Sequence, residues 1–146
     1  MGGVLTLHYV VIGDVEALAL PDEAEQVRLD ELWEHSCFEA FVGAQDDYLE
    51  VNLAPSTAWA AYRFHGYREA MGDAAMEPPD IATTRTKNRF VLRADVPINW
   101  WAGPLALAAV IEERSGRKSY WALAHPPGAP DFHHPDCFVL DLPAAR

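Results

Sequence analysis

The sequence predicts an all-β fold: an antiparallel β-sandwich of jelly-roll type, with about nine strands and at most one short helix. Three observations carry this. Short runs rich in β-branched and aromatic residues recur along the chain, turn-forming residues separate them, and long stretches of helical periodicity are missing. With 146 residues the chain is expected to form a single domain, residues 1–146, large enough to bury a core.

The strands read off in order. "VLTLHYVVI" covers 4 to 12. "FEAFVG" (38 to 43) and "YLEVNLA" (48 to 54) flank the polar turn "AQDD". "TAWAAYRFHGY" covers 57 to 67. "DIATTRT" (80 to 86) and "RFVLRADVPI" (89 to 98) are joined by "KN". "LALAAVIEER" (105 to 114) and "KSYWALA" (118 to 124) are joined by "SGR". "CFVLDL" covers 137 to 142. Between the first two strands, "PDEAEQVRLDELW" (21 to 33) has Asp22 as a candidate N-cap and Glu25 three residues on. That pattern fits one short helix or an extended acidic loop. "HPPGAPDFHHPD" (125 to 136) is a long loop stiffened by four prolines, a kind of segment that often carries function.

Composition limits the function. Half of the residues are apolar, so the chain folds rather than staying disordered. Eleven basic against twenty-two acidic residues give a net charge of -11. That argues against binding to nucleic acid or an anionic membrane surface, both of which need clustered cations. A neutral or cationic small ligand, or a protein partner, fits better. No apolar run reaches the ~18 residues of a membrane helix, and "MGGVLTLHYVVIG" has no basic region or cleavage site of a leader, so a cytoplasmic location is expected. Cys37 and Cys137 each precede Phe in a strand-like run and are expected to be buried free thiols, with a disulfide as the alternative.

Chemistry-bearing residues concentrate in "LWEHSCFEAF", 32 to 41. Strand alternation sorts them, given a hairpin in which Gly43 pairs with Tyr48. Phe38, Ala40, Val42, Leu49, Val51 and Leu53 then form a wholly apolar core face. Glu39, Phe41, Tyr48, Glu50 and Asn52 share the other face. It is either solvated or a concave binding face, where rings stack on sugars and carboxylates and amides bind hydroxyls. Trp33 lies just upstream, at its rim or in the core. Trp59 and Arg63 share parity on the next strand, and Trp121 and His125 lie where a strand meets the proline-rich loop. Of the pair Trp100 and Trp101, at least one should only pack. His35 has no clear place.

Catalytic and metal alternatives are weaker. "HSC" and "HH" lack compact zinc spacings, although His35, Cys37, His125, His133, His134 and Cys137 supply donor types. Cys37 at the start of an apolar strand should be inert. Glu39 and Glu50 resemble the carboxylate pair of a hydrolase, but the sequence alone supplies no dry pocket to raise either pKa.

"LWEHSCFEAFVG", "YLEVNLAPSTAWAAYRFHGYR" and "YWALAHPPGAPDFHHPDCF" together resemble the bacterial DOMON-like family, which is related to family 9 carbohydrate-binding modules. The resemblance runs over nearly the whole chain. It implies a β-sandwich with a ligand groove on one sheet and a terminal sugar held between two tryptophans. Trp33 and Glu39 match the residues that open that motif. Asn52 and Arg63 match by strand parity, and Trp121 is the candidate second clamp. The expected function is a non-catalytic module that binds a carbohydrate or sugar derivative and needs no cofactor. Trp33, Glu39, Glu50, Asn52, Arg63, Trp121, His125 and His133 are the candidate ligand-binding residues. The wider superfamily implies a second possibility, haem held by Met and His. Here Met71 and Met76 fall in an apparent loop. A metal- or carboxylate-dependent hydrolase is the third.

Overall fold

The computed structural model describes residues 3–99 and 101–143. Among the described residues, ten antiparallel strands form two layers. The strands are β1 (Gly3–Ile12), β2 (Cys37–Ala44), β3 (Asp47–Leu53), β4 (Trp59–Phe64), β5 (Gly72–Asp73), β6 (Asp80–Arg85), β7 (Arg89–Asn99), β8 (Gly103–Glu112), β9 (Lys118–Ala122) and β10 (Leu140–Leu142). One sheet has the order β1-β7-β6. The other runs β10-β8-β2-β3-β4-β5, with β9 also on β8. This is the β-sandwich that the strand pattern predicts.

Both sheets alternate in the way that a shared core demands. Phe90, Leu92, Ala94, Val96 and Ile98 on β7 face Phe38, Ala40 and Val42 on β2 and Leu49, Val51 and Leu53 on β3. The β2–β3 register pairs Gly43 with Tyr48, Phe41 with Glu50 and Glu39 with Asn52, as the hairpin reading requires. Gly43 has φ 126°, and a side chain there would press on the Asp47 carbonyl and Tyr48 backbone. Glycine therefore lets the hairpin close.

Several elements differ from the sequence reading. The 21 to 33 segment forms no α-helix. Only Leu32–Glu34 makes a 3-10 turn. The preceding residues run extended beside β4, where Leu29 N–H donates to the Trp59 carbonyl and Trp59 N–H donates to Val27. Without an apolar stripe at helical spacing, pairing with a strand satisfies that backbone better. β5 is a two-residue strand with no apolar run to announce it. The last strand starts at Leu140 because Pro135–Cys137 forms a 3-10 turn with proline in its first turn. Cys37 and Cys137 are both buried and free. Trp101 packs against the core, whereas Trp100 lies outside the described residues. No helix among the described residues is long and apolar enough to cross a membrane.

Candidate functional site

The larger sheet has a second buried face. Phe41, Tyr48, Ala60, Tyr62, Phe64, Ala106, Ala108 and Val110 point away from the sandwich core. They are covered by Leu32 and Trp33 from the 3-10 turn and by Phe132, Cys137 and Phe138 from the proline-rich segment. The cover is incomplete, and a pocket of about 360 Å³ remains. That size lies at the lower end of small-molecule sites. Glu39, Glu50, Phe64 and Val110 form its floor on the sheet. Trp33, Arg68, Met71, Tyr120, Pro130, Phe132 and His133 supply the rest of its lining.

The polar floor is nearly dry. Glu39 is 3% exposed, Glu50 4% and Asn52 0%. Burial pushes the Glu39 carboxyl well above the ordinary carboxylate range, Glu50 adds to the shift, and Arg68 opposes it. Burial likewise pushes up the Cys37 thiol beside it, which makes that thiol inert. Glu39 Oε2 and both amide atoms of Asn52 are buried without a hydrogen-bond partner. Buried polar atoms are paired in the great majority of cases, and an orphan costs about 1–3 kcal/mol. Three on two facing residues mark the floor as unsatisfied.

Glu50, in contrast, is tied down. His133 Nε2 lies 3.2 Å from Glu50 Oε1, and His133 Nδ1 lies 2.7 Å from the Tyr48 hydroxyl. The Tyr48 oxygen in turn accepts the Arg68 backbone N–H at 3.1 Å. The Arg68 guanidinium donates to Asp131 Oδ1 at 2.7 Å. Burial works against ionisation of Asp131, but hydrogen bonds from Tyr67 and Arg68 outweigh it and hold its pKa low. Two loops are thereby fastened to one hairpin. Trp33 stands edge-on to Tyr62 at 5.8 Å, and the Tyr62 hydroxyl donates to Asp30 at 2.7 Å.

Of the eight residues expected to bind ligand, Trp33, Glu39, Glu50 and His133 line this pocket. Asn52 lies in the same layer, directly across from Glu39. Three are placed elsewhere. Arg63 pairs with Leu49, a core-face position, so its side chain leaves the opposite side of the sheet. There it donates to Asp47 at 2.8 Å and lies over Trp101 at 5.3 Å. Trp121 pairs with Ala109, which also faces the core, whereas its neighbour Tyr120 pairs with Val110 and reaches the pocket. The Trp121 ring lines a separate groove of about 570 Å³ between β1 and β9. The exposed His125 meets the ring of Phe132 at 6.3 Å but does not line the pocket.

Sequence reasoning missed Arg68 and Tyr120. Tyr120 was within reach by fixing strand parity from β8, but Arg68 sits in a loop, where no periodicity applies. His35, unplaced by sequence, lies 3.0 Å from Glu112. No group of three or more His, Cys, Asp or Glu side chains among the described residues is gathered as a metal would need.

No family model and no characterised protein matches the chain in sequence. The fold does have a counterpart: a crystal structure of a protein from Bacteroides uniformis, described as a "putative carbohydrate-binding protein". The likeness covers 94% of this chain and 72% of that one, with a TM-score of 0.54 and 17% sequence identity. At that identity it shows a shared fold, one also used by a protein so described.

Proposed function

We propose that the protein is a binding module for a carbohydrate or sugar derivative, held in the pocket between Trp33 and His133. The observation that carries this is the unsatisfied floor. Glu39 Oε2 is a buried group with no partner on the floor of a pocket also lined by Trp33, Tyr120 and Phe132, and the unpartnered Asn52 amide lies across from it in the same layer. A polyhydroxylated ring supplies both things that such a site lacks, donors and acceptors for the floor and apolar C–H faces for the rings. The resemblance to DOMON-like domains and the description given to the structural neighbour support the same reading. Trp33, Glu39, Glu50, Asn52 and His133 are the residues assigned to it. Calorimetric titration with monosaccharides tests it. Micromolar to millimolar binding is expected, and Trp33→Ala should remove about 1–3 kcal/mol of it. Silence toward every sugar at millimolar concentration would sink the proposal.

Two observations keep rival readings in view. Met71 and His133 both line the pocket, the two residue types by which the wider superfamily holds haem. Both His133 nitrogens are already engaged, by Tyr48 and Glu50, so ligation would dismantle the wall. An absorbance scan with added haem should show no shifted Soret band. Glu39 also sits in the dry surroundings that the sequence alone did not reveal, one attribute of a general acid beside Glu50. Release of chromophore from aryl glycosides would favour that reading over plain binding.

A further inference from the structure

Ionising every carboxyl around the floor would leave one negative charge without a match. Glu39 on β2 and Glu50 on β3 line the pocket together with Arg68 and His133, and Asp131 on the covering loop holds the Arg68 guanidinium. The other ionisable groups against Glu39 are Cys37 on its own strand and Tyr9 on β1, whose hydroxyl donates to the Glu39 carbonyl. Neither brings positive charge. Arg68 is committed to Asp131, and His133 is committed to Glu50 and Tyr48. With the carboxylates ionised, at least one negative charge has no match, even when the imidazole is counted as positive. The group that would carry it is Glu39, a residue 3% exposed on the pocket floor whose Oε2 has no hydrogen bond. The chain as a whole carries -11, so its field draws cations toward the opening.

We propose that the ligand carries an ammonium group, as an amino sugar does, and that this group docks against the unpartnered oxygen of Glu39. The inference rests on the pocket being the sugar site, but it adds a charge requirement that plain sugar binding does not have. A neutral sugar can bind the pocket through hydroxyls, yet it leaves the Glu39 carboxyl uncharged or uncompensated. An ammonium group supplies donors and the counter-charge together. In the empty pocket burial favours the protonated form of Glu39. Docking of a cation reverses that preference, so the carboxyl loses a proton to solvent as the ion pair forms. Binding and proton release are therefore coupled.

The experiment uses the full chain at about pH 6.5, where the probe amines are largely charged. Glucosamine, glucose and trans-2-aminocyclohexanol (an amine without the sugar) are titrated by calorimetry in two buffers of different ionisation heat. Glucosamine should bind at least about tenfold more tightly than glucose. Its apparent enthalpy should differ between the buffers, reporting a released proton. Glu39→Gln should bring the two sugars together and abolish the buffer dependence, with its fold checked by circular dichroism. The buffer dependence of the native chain stands as a test even if that variant fails to fold. Glucose binding as tightly as glucosamine would overturn the ammonium assignment and leave the sugar site standing. Binding of aminocyclohexanol without either sugar would do the reverse. No binding by any of the three would overturn both.

Discussion

The two faces of the β2–β3 hairpin are almost equally buried, yet they are built on opposite principles. Phe38 and Glu39 are neighbours in sequence, at 1% and 3% exposure. One meets Phe90 across the sandwich, ring against ring at 5.8 Å. The other ends in an oxygen with no partner. Burial alone therefore does not separate structure from function here. Satisfaction of polar atoms does, because a native core leaves few orphans and a binding site keeps its groups free for something else. The core face is packed to be stable. The pocket face gives up stability to stay available.

The largest effect should come from the core face. Phe38→Ala should cost about 3–5 kcal/mol in denaturant titration, since a deleted aromatic leaves a cavity that the sheets cannot close. A loss below that of an ordinary surface change would erase the contrast. On the pocket face the sign should reverse. Asn52→Leu keeps the branched shape and removes two orphaned atoms, so it should raise stability by about 1–3 kcal/mol while weakening ligand binding. Destabilisation instead would mean that the amide has a structural partner.

Glu39→Gln sharpens the same point through pH. The folded carboxyl titrates well above its ordinary value of 4.5, so the folded state holds its proton where the unfolded chain has lost it. The native protein should therefore lose stability as pH rises from the unfolded value toward the folded one. The variant should lack that decline and melt higher at neutral pH. The two melting curves should converge in acid, and parallel pH profiles would contradict this. The smallest effect belongs to Arg63→Ala, which breaks an exposed pair with Asp47 on the side away from the pocket. It should leave ligand affinity unchanged, and a tenfold loss would put Arg63 back in the site.

The fold was legible because burial alternates along β7 and because Leu49, Val51 and Leu53 on β3 alternate with Tyr48, Glu50 and Asn52, so a one-residue slip would have put polar groups into the sandwich core. The pocket floor followed from that same parity. The walls did not. On β9 the alternation Ser119, Tyr120, Trp121 has no fully apolar side to set parity, so the larger indole drew attention from the tyrosine that lines the pocket. Arg63 was misplaced because its parity partner Trp59 is a core residue. Arg68 and Phe132 come from loops, where position is set by tertiary hydrogen bonds such as Arg68 N–H to Tyr48, and no local pattern encodes those.

The floor and the covering segment are also under different constraints on change. The floor carboxylates Glu39 and Glu50 alternate with core residues on β2 and β3, so an insertion there would turn both faces over at once. The segment carrying Pro130, Phe132 and His133 has no such interleaving, and residues of the β2–β3 hairpin fasten it through His133. Its length and side chains can vary while those two anchoring contacts hold. Relatives of this fold can thus acquire new ligands by rewriting one loop over an unaltered floor, and differences in what they bind should track the length of that loop.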